Sequence, residues 1–193
     1  LSTNALFNAV RYTYDAGAFS AYIAAEELEG TGFANSSETD NNVGLSAFVG
    51  GTGGPVTFSL VGSYDTDYED GAIRAMIFAD VGPGTFGLAG IWASGVNAYY
   101  AESEWAVAVE YAIKATDKLT LTPAFQYLGN VAVRNADRDI VDADWSGNDA
   151  WTAGLTVDYK ITDGLAAKVT ANYYDEDNSD DEVTGFVRLQ RSF

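Results

Sequence analysis

The chain has 193 residues, 47% apolar and 20% charged, with 10 basic against 28 acidic side chains and a formal net charge of −18. It holds no cysteine and no histidine, which excludes disulfides, thiol catalysis, Ser-His-Asp chemistry and most transition-metal sites. Strong negative charge without a basic run is unsuited to phosphate backbones, so nucleic acid is not expected as a partner, and no apolar run reaches the roughly 18 residues of a transmembrane helix.

Aromatic and β-branched residues recur in short runs that predict about eleven strands in a single domain over 1–193. In chain order, 4–14 and 19–28 flank the tight turn Asp15-Ala16-Gly17-Ala18, and the long segment 29–42 follows. Strands 43–50 and 56–65 flank Gly51-Thr52-Gly53-Gly54-Pro55, followed by 66–70. Strands 71–82 and 85–94 flank Gly82-Pro83-Gly84, followed by 95–103. Strands 104–114 and 119–128 flank Ala115-Thr116-Asp117-Lys118, followed by 129–149. Strands 150–160 and 165–174 flank Ile161-Thr162-Asp163-Gly164, and 175–181 leads into 182–193. Gly, Pro and Asp supply the dihedrals of the tight turns. Short and long connections alternate throughout, which predicts an up-and-down antiparallel meander with one trimmed rim and one elaborated rim.

Period two separates the residues into two faces. One face carries Phe19, Ile23, Leu45, Leu60, Ile73, Ile77, Val107, Leu155, Val157 and Val169, none of them charged or carrying an amide. The other face carries Ser, Thr and Gly together with Arg11, Glu26, Arg74, Glu110, Asp158, Lys168 and Arg188. Such alternation fixes register and requires an apolar medium on one side. A soluble sandwich would supply that medium as a second sheet. Two features favour lipid instead. Tyr64, Trp92, Trp105, Tyr127, Trp151 and Tyr173 end the apolar face beside the long segments, and Tyr111 and Tyr159 end it beside the short turns. Amphipathic rings at both ends of an aliphatic band form the girdles of a transmembrane β-barrel. Trp151 to Tyr159 spans about 26 Å of strand, roughly 20 Å along the membrane normal once tilted, against an apolar band of roughly 25 Å. The polar face is also poorer in Lys and Glu than solvent-facing strands usually are.

Short turns of such barrels lie on the periplasmic side, so the last strand predicts a periplasmic C-terminus and the first strand would begin outside the cell. Eleven is odd where single-chain bacterial barrels are even, and an open edge in lipid costs several kcal/mol per unpaired group. Further N-terminal strands are therefore expected. Leu1 is not an initiator methionine, which fits either removal of a signal peptide or a longer parent chain.

The ending Gly185-Phe186-Val187-Arg188-Leu189-Gln190-Arg191-Ser192-Phe193 resembles the closing strand of alphaproteobacterial porins of the rhizobial and Brucella type, with Phe193 as the assembly signal. The stretch from Val10 to Ser20 resembles a hairpin of the same family, and Tyr159 to Leu165 one of its periplasmic turns. This resemblance implies the C-terminal part of a sixteen-stranded, homotrimeric outer-membrane porin roughly twice as long, in contact with lipid and lipopolysaccharide and passing small hydrophilic solutes and ions. It also assigns the inward-folded constriction loop to the N-terminal part. Arg191 stands where outer-membrane assembly signals usually have an apolar residue, and the family ending shares that arginine.

No catalysis, cofactor or metal is expected. Arg11, Glu26, Arg74, Glu110, Asp158, Lys168 and Arg188 are candidate pore-lining charges that together would set a transverse field; for any one of them, plain solvation of a wide interior, with Asp158 and Lys168 paired across strands, is the better account. The acidic clusters Asp65–Asp70, Asp137–Asp149 and Asp175–Glu182 suit a cation-attracting vestibule better than a dedicated divalent site, because none has the spacing of a calcium loop. A small filled barrel acting as a structural protein or adhesin is the alternative. A carboxylate-pair hydrolase built on Asp142 and Asp144 is a remote one.

Overall fold

The computed structural model describes residues 8–28, 43–135 and 139–192. The described residues form twelve strands: β1 (Ala9–Asp15), β2 (Phe19–Glu27), β3 (Val43–Gly53), β4 (Val56–Asp65), β5 (Asp70–Val81), β6 (Gly84–Ala93), β7 (Ser103–Lys114), β8 (Leu119–Arg134), β9 (Ile140–Trp145), β10 (Ala150–Thr162), β11 (Leu165–Glu176) and β12 (Glu182–Arg191). All pairings are antiparallel, and the sheet runs β1-β2-β3-β4-β5-β6-β7-β8-β10-β11-β12, with β9 attached to β8 off that path. The eleven strands of the path are the eleven predicted from sequence. The predicted onset at residue 4, the segment 29–42, Asp137 and Phe193 lie outside the described residues.

Chain order equals spatial order, and every second connection is a turn too short for anything but a return. Gly54 and Gly82 both sit at φ +58°, where a side chain would be strained. Between β7 and β8 the turn instead uses Thr116, whose hydroxyl oxygen accepts the amides of Lys118 at 3.2 Å and Leu119 at 3.0 Å. Pro123 sits within β8, where a missing amide hydrogen would normally break a ladder. Pairing to β7 lapses there, between the matches Glu110–Ala124 and Ile113–Leu121, while pairing to β10 runs on unbroken through Pro123–Leu155. The proline thus interrupts the ladder on one side only.

One correction to the sequence reading concerns residues 129–149, expected as a loop. β8 continues for 16 residues to Arg134 and pairs with β9 through Ala132–Trp145 and Arg134–Ile140. Gly129-Asn130 has the composition of a turn, but Asn130, at φ +58°, kinks the strand without ending it. Asp149 accepts the Asn130 amide at 2.9 Å, and Asn130 donates its side-chain amide to Glu104 at 2.7 Å.

Register keeps the two faces separate across every pair. On the apolar side Leu155 opposes Pro123 and Ala171, and Val157 opposes Leu121 and Val169. No second sheet covers this side among the described residues: Leu45, Ile73 and Leu155 are 48%, 51% and 45% exposed. The buried residues lie elsewhere. Ala24, Ser46, Ala72 and Ala93 are on the polar face near the long-loop rim, and Ala106, Leu128, Val131 and Ala150 form a small cluster where the β8–β9 arm leaves the sheet. A soluble sandwich would be buried on the opposite side. Among the described residues β1 pairs only with β2 and β12 only with β11.

Candidate pore lining

The seven candidate charges share the polar face. Lys168 on β11 opposes Asp158 on β10 and Arg188 on β12, which makes one row of three, and its Nζ lies 3.1 Å from Asp158 Oδ1. The other four stand apart. Arg11, on β1, lies over the Tyr22 ring at 5.1 Å from its centroid, and Tyr22 stacks on Phe48 at 5.3 Å. Arg74 is flanked by Val61 and Ile91, and Glu110 opposes Gly87 and Ala124. Sequence reasoning overlooked the polar-face rings Tyr22, Phe48 and Phe78. Their signal was present, since each falls on the same parity as Ser20, Ser46 and Asp80.

Glu26 has a more specific environment. Its Oε1 accepts the Ser46 hydroxyl at 3.2 Å and its Oε2 the Tyr99 hydroxyl at 2.7 Å. Tyr99 belongs to the β6–β7 loop, residues 94–102, which therefore lies over the polar face. The loop is tied to β5 by Ser94, whose hydroxyl donates to Asp70 at 2.7 Å, and to β4 by the Ala98 amide, which donates to Asp65 Oδ2 at 3.1 Å. Asp65 is fully buried, and its Oδ1 also accepts the amides of Asp67 and Tyr68. Buried Asn97 stiffens the loop from within: its Oδ1 accepts the amides of Tyr99 and Tyr100, and its Nδ2 donates to the Gly95 carbonyl at 2.8 Å. Burial, and then the Glu26 carboxylate beside it, push the Tyr99 phenol far above its ordinary value, so it remains a donor.

The aromatic residues Tyr64, Trp92, Trp105, Tyr111, Tyr127, Trp151, Tyr159 and Tyr173 all fall on the apolar face. Near the long-loop rim Trp105 stacks on Tyr127 at 5.4 Å, and Trp151 stacks on Phe125 at 6.0 Å and meets Tyr173 at a tilt, 5.3 Å between centroids. Their polar tips reach the rim. Tyr127 donates to Asp149 at 2.6 Å, Tyr173 donates to Asp181, and at the other rim Tyr111 donates to the Val81 carbonyl at 2.6 Å. Ring in the apolar band and hydroxyl in the polar zone is the arrangement that suits a membrane interface.

The acidic clusters are held mainly by hydrogen bonds. Asp149 accepts the Tyr127 hydroxyl and the Asn130 amide, which together hold its carboxyl below the ordinary value. Among the described residues no three carboxylates converge in a geometry able to hold a metal ion, and Arg134 pairs with Glu102 at 2.6 Å.

Comparison with known proteins bears on this geometry. A family model described as the Porin subfamily matches residues 1–190. The chain is 43% identical to outer membrane protein IIIA of Rhizobium leguminosarum bv. viciae, over 94% of this chain and 50% of that protein. It is 45% identical to the putative outer membrane protein y4fJ of Sinorhizobium fredii, over 97% of this chain and 51% of that protein. The chain thus spans about half the length of these curated relatives. Among solved structures it resembles the outer membrane channel DcaP of Acinetobacter baumannii, with a TM-score of 0.66 at 16% identity over 94% of this chain and 60% of that one. It also resembles a loop-deletion mutant of OmpT, an outer membrane protein of Vibrio cholerae, with a TM-score of 0.65 at 16% identity, covering 94% of this chain and 62% of that one.

Proposed function

The chain belongs to the porin subfamily, and from that membership we propose that it forms the larger part of the wall of a water-filled outer-membrane channel for passive diffusion of small hydrophilic solutes and ions. One observation carries this reading above the rest. Eleven consecutive antiparallel strands present an exposed apolar face whose charges, Glu27, Asp175 and Arg191, stand only at strand ends, bounded at both rims by aromatic rings, and an opposite face that holds Arg11, Glu26, Arg74, Glu110, Asp158, Lys168 and Arg188. Lipid suits the first face, and water with mobile ions suits the second.

The single partners of β1 and β12 among the described residues, together with relatives about twice as long, support closure by further strands preceding β1. An edge left open in lipid would strand one amide or carbonyl after another. The short turns then face the periplasm together with the C-terminus, and the long acidic segments face outward toward lipopolysaccharide. A trimer is inferred from the family resemblance. The charges call for no bond chemistry, and the proposed activity is conduction without catalysis.

The test is reconstitution of the full-length protein into planar bilayers and into liposomes. Stepwise conductance and entry of small uncharged sugars are expected. A protein that inserts, as judged by protection of its strands from protease, but passes neither ions nor sugars would favour a filled structural barrel and overturn the reading.

A further inference from the structure

The β6–β7 loop does not stand up from the rim. It runs inward across the polar face and meets one strand after another. Ser94 is bound to Asp70 and Gly71 of β5, Ala98 to Asp65 of β4, and Tyr99 lies against Gly44 of β3 and ends on Glu26 of β2. From β6 to β2 is four interstrand spacings, roughly 19 Å measured along the sheet. The surface beneath is made of small side chains at polar-face positions: Ala24, Gly44, Ser46, Ala72 and Ala93 are all buried. A Cβ on Gly44 would stand 1.9 Å from the Tyr99 hydroxyl oxygen and 2.7 Å from Leu28 Cδ1. Val96 and Asn97 are essentially inaccessible, so the loop is packed into place as well as hydrogen-bonded. A loop that merely decorated the rim would need neither the seat nor a bond between residues 73 positions apart.

We propose that residues 94–102 are a strap folded over the lumen side of β2–β5 that narrows the mouth of the channel and sets the size of solute admitted, anchored by Ser94 on Asp70, with Ala98 on Asp65 and Tyr99 on Glu26 as its inner fastenings. This rests on the porin reading above and adds to it a size-determining element carried by this half of the sequence, separate from any constriction loop in preceding strands. Three carboxylates from different strands, Asp70, Asp65 and Glu26, hold the strap, and the half-buried Tyr99 ring stands at the mouth on this side. Uncharged solutes therefore meet a steric edge there before they meet the charged row on β10–β12.

The experiment compares the full-length protein with three variants in liposome swelling, using uncharged sugars from mono- to tetrasaccharide. Gly44→Ala keeps a backbone that any residue adopts in β3 but leaves no room for the phenol. Tyr99→Phe keeps the ring and removes only the fastening. The third variant replaces residues 96–100 by two glycines. The expected result is an exclusion limit shifted to larger sugars, most in the shortened loop, next in Gly44→Ala and least in Tyr99→Phe. Permeation by the unaltered protein with the same limit in all three variants overturns the strap and leaves the porin reading standing. An unaltered protein that admits no sugar overturns both.

Discussion

Asp158 and Lys168 oppose each other on β10 and β11 and close an ion pair of 3.1 Å, with Arg188 opposite Lys168 on β12. The two side chains are 41% and 33% exposed, so water screens the pair, and its contribution to stability is within about 1 kcal/mol. In the proposed channel its larger effect is on the field across the lumen. Asp158→Asn leaves Lys168 and Arg188 uncompensated and shifts the zero-current potential across a salt gradient toward anions. Lys168→Gln shifts it the other way. Equal potentials for both variants would place this row outside the conduction path.

Trp151 lies between Phe125 and Tyr173, at 6.0 and 5.3 Å. Each such aromatic contact adds about 0.5–1.5 kcal/mol beyond simple burial. Trp151→Ala is therefore expected to lower stability by about 1–3 kcal/mol from the two contacts, with Trp151→Phe retaining part of it. Urea titrations of protein refolded in vesicles measure the difference. No change in midpoint would mean that these ring contacts contribute nothing to stability in lipid.

Asp149 ties the base of the β8–β9 arm to the rim through Tyr127 and Asn130. These hydrogen bonds hold its carboxyl below the ordinary value in the folded protein. The stabilisation is thus complete above the unfolded-state value and is lost as pH falls toward and through the folded one. Asp149→Asn is expected to be less stable than the parent at neutral pH, with the two curves converging below about pH 4. A gap that stays constant into acid would show that the contact does not depend on charge. Exchange of the Asn130 amide, read by mass spectrometry on the arm, reports the same transition locally.

How far the sequence revealed this structure differs from place to place. The eleven strands and their faces were legible because period two leaves no choice once Leu155, Val157 and Tyr159 must share a side. The β8–β9 arm was not. Ile140 to Trp145 carries Asp142 and Asp144, acidic residues that strands seldom favour, and the kink at Asn130 that precedes the pairing is held by Asp149 and Glu104, neither of them a sequence neighbour of Asn130. The strap was hidden for a related reason, since no local pattern links Tyr99 to Glu26 across 73 residues. Its seat left a trace in the small residues Ala24, Gly44, Ser46, Ala72 and Ala93 on one face, although Ser and Gly alone read equally well as a wet wall. Glu26, expected simply as a lumen charge, is engaged by two hydroxyl donors.

The long segments carry much of the excess of 28 acidic over 10 basic residues, and the proposed orientation sets them on the outer rim. Asp177, Asp180 and Asp181 are exposed there. Asp177 accepts the Asp149 amide at 3.2 Å and Asp181 accepts the Tyr173 hydroxyl, so two of these charges are held in position. A solute crossing the rim passes within about one Debye length of them, roughly 8 Å at physiological ionic strength. Cations gather in such a field and anions are depleted. The seven candidate lumen charges, four basic and three acidic, are too nearly balanced to reverse that bias. The expected behaviour is a mild cation preference at low salt that fades toward 1 M, where the Debye length falls to about 3 Å. Replacing Asp177, Asp180 and Asp181 together by Asn keeps two hydrogen-bond acceptors in place and removes three charges. That variant should lose part of the cation preference at low salt and match the parent at high salt. Reversal potentials measured at two ionic strengths decide the point: anion preference in the parent at low salt, or a difference between the two proteins that persists unchanged at 1 M, would refute control by the rim.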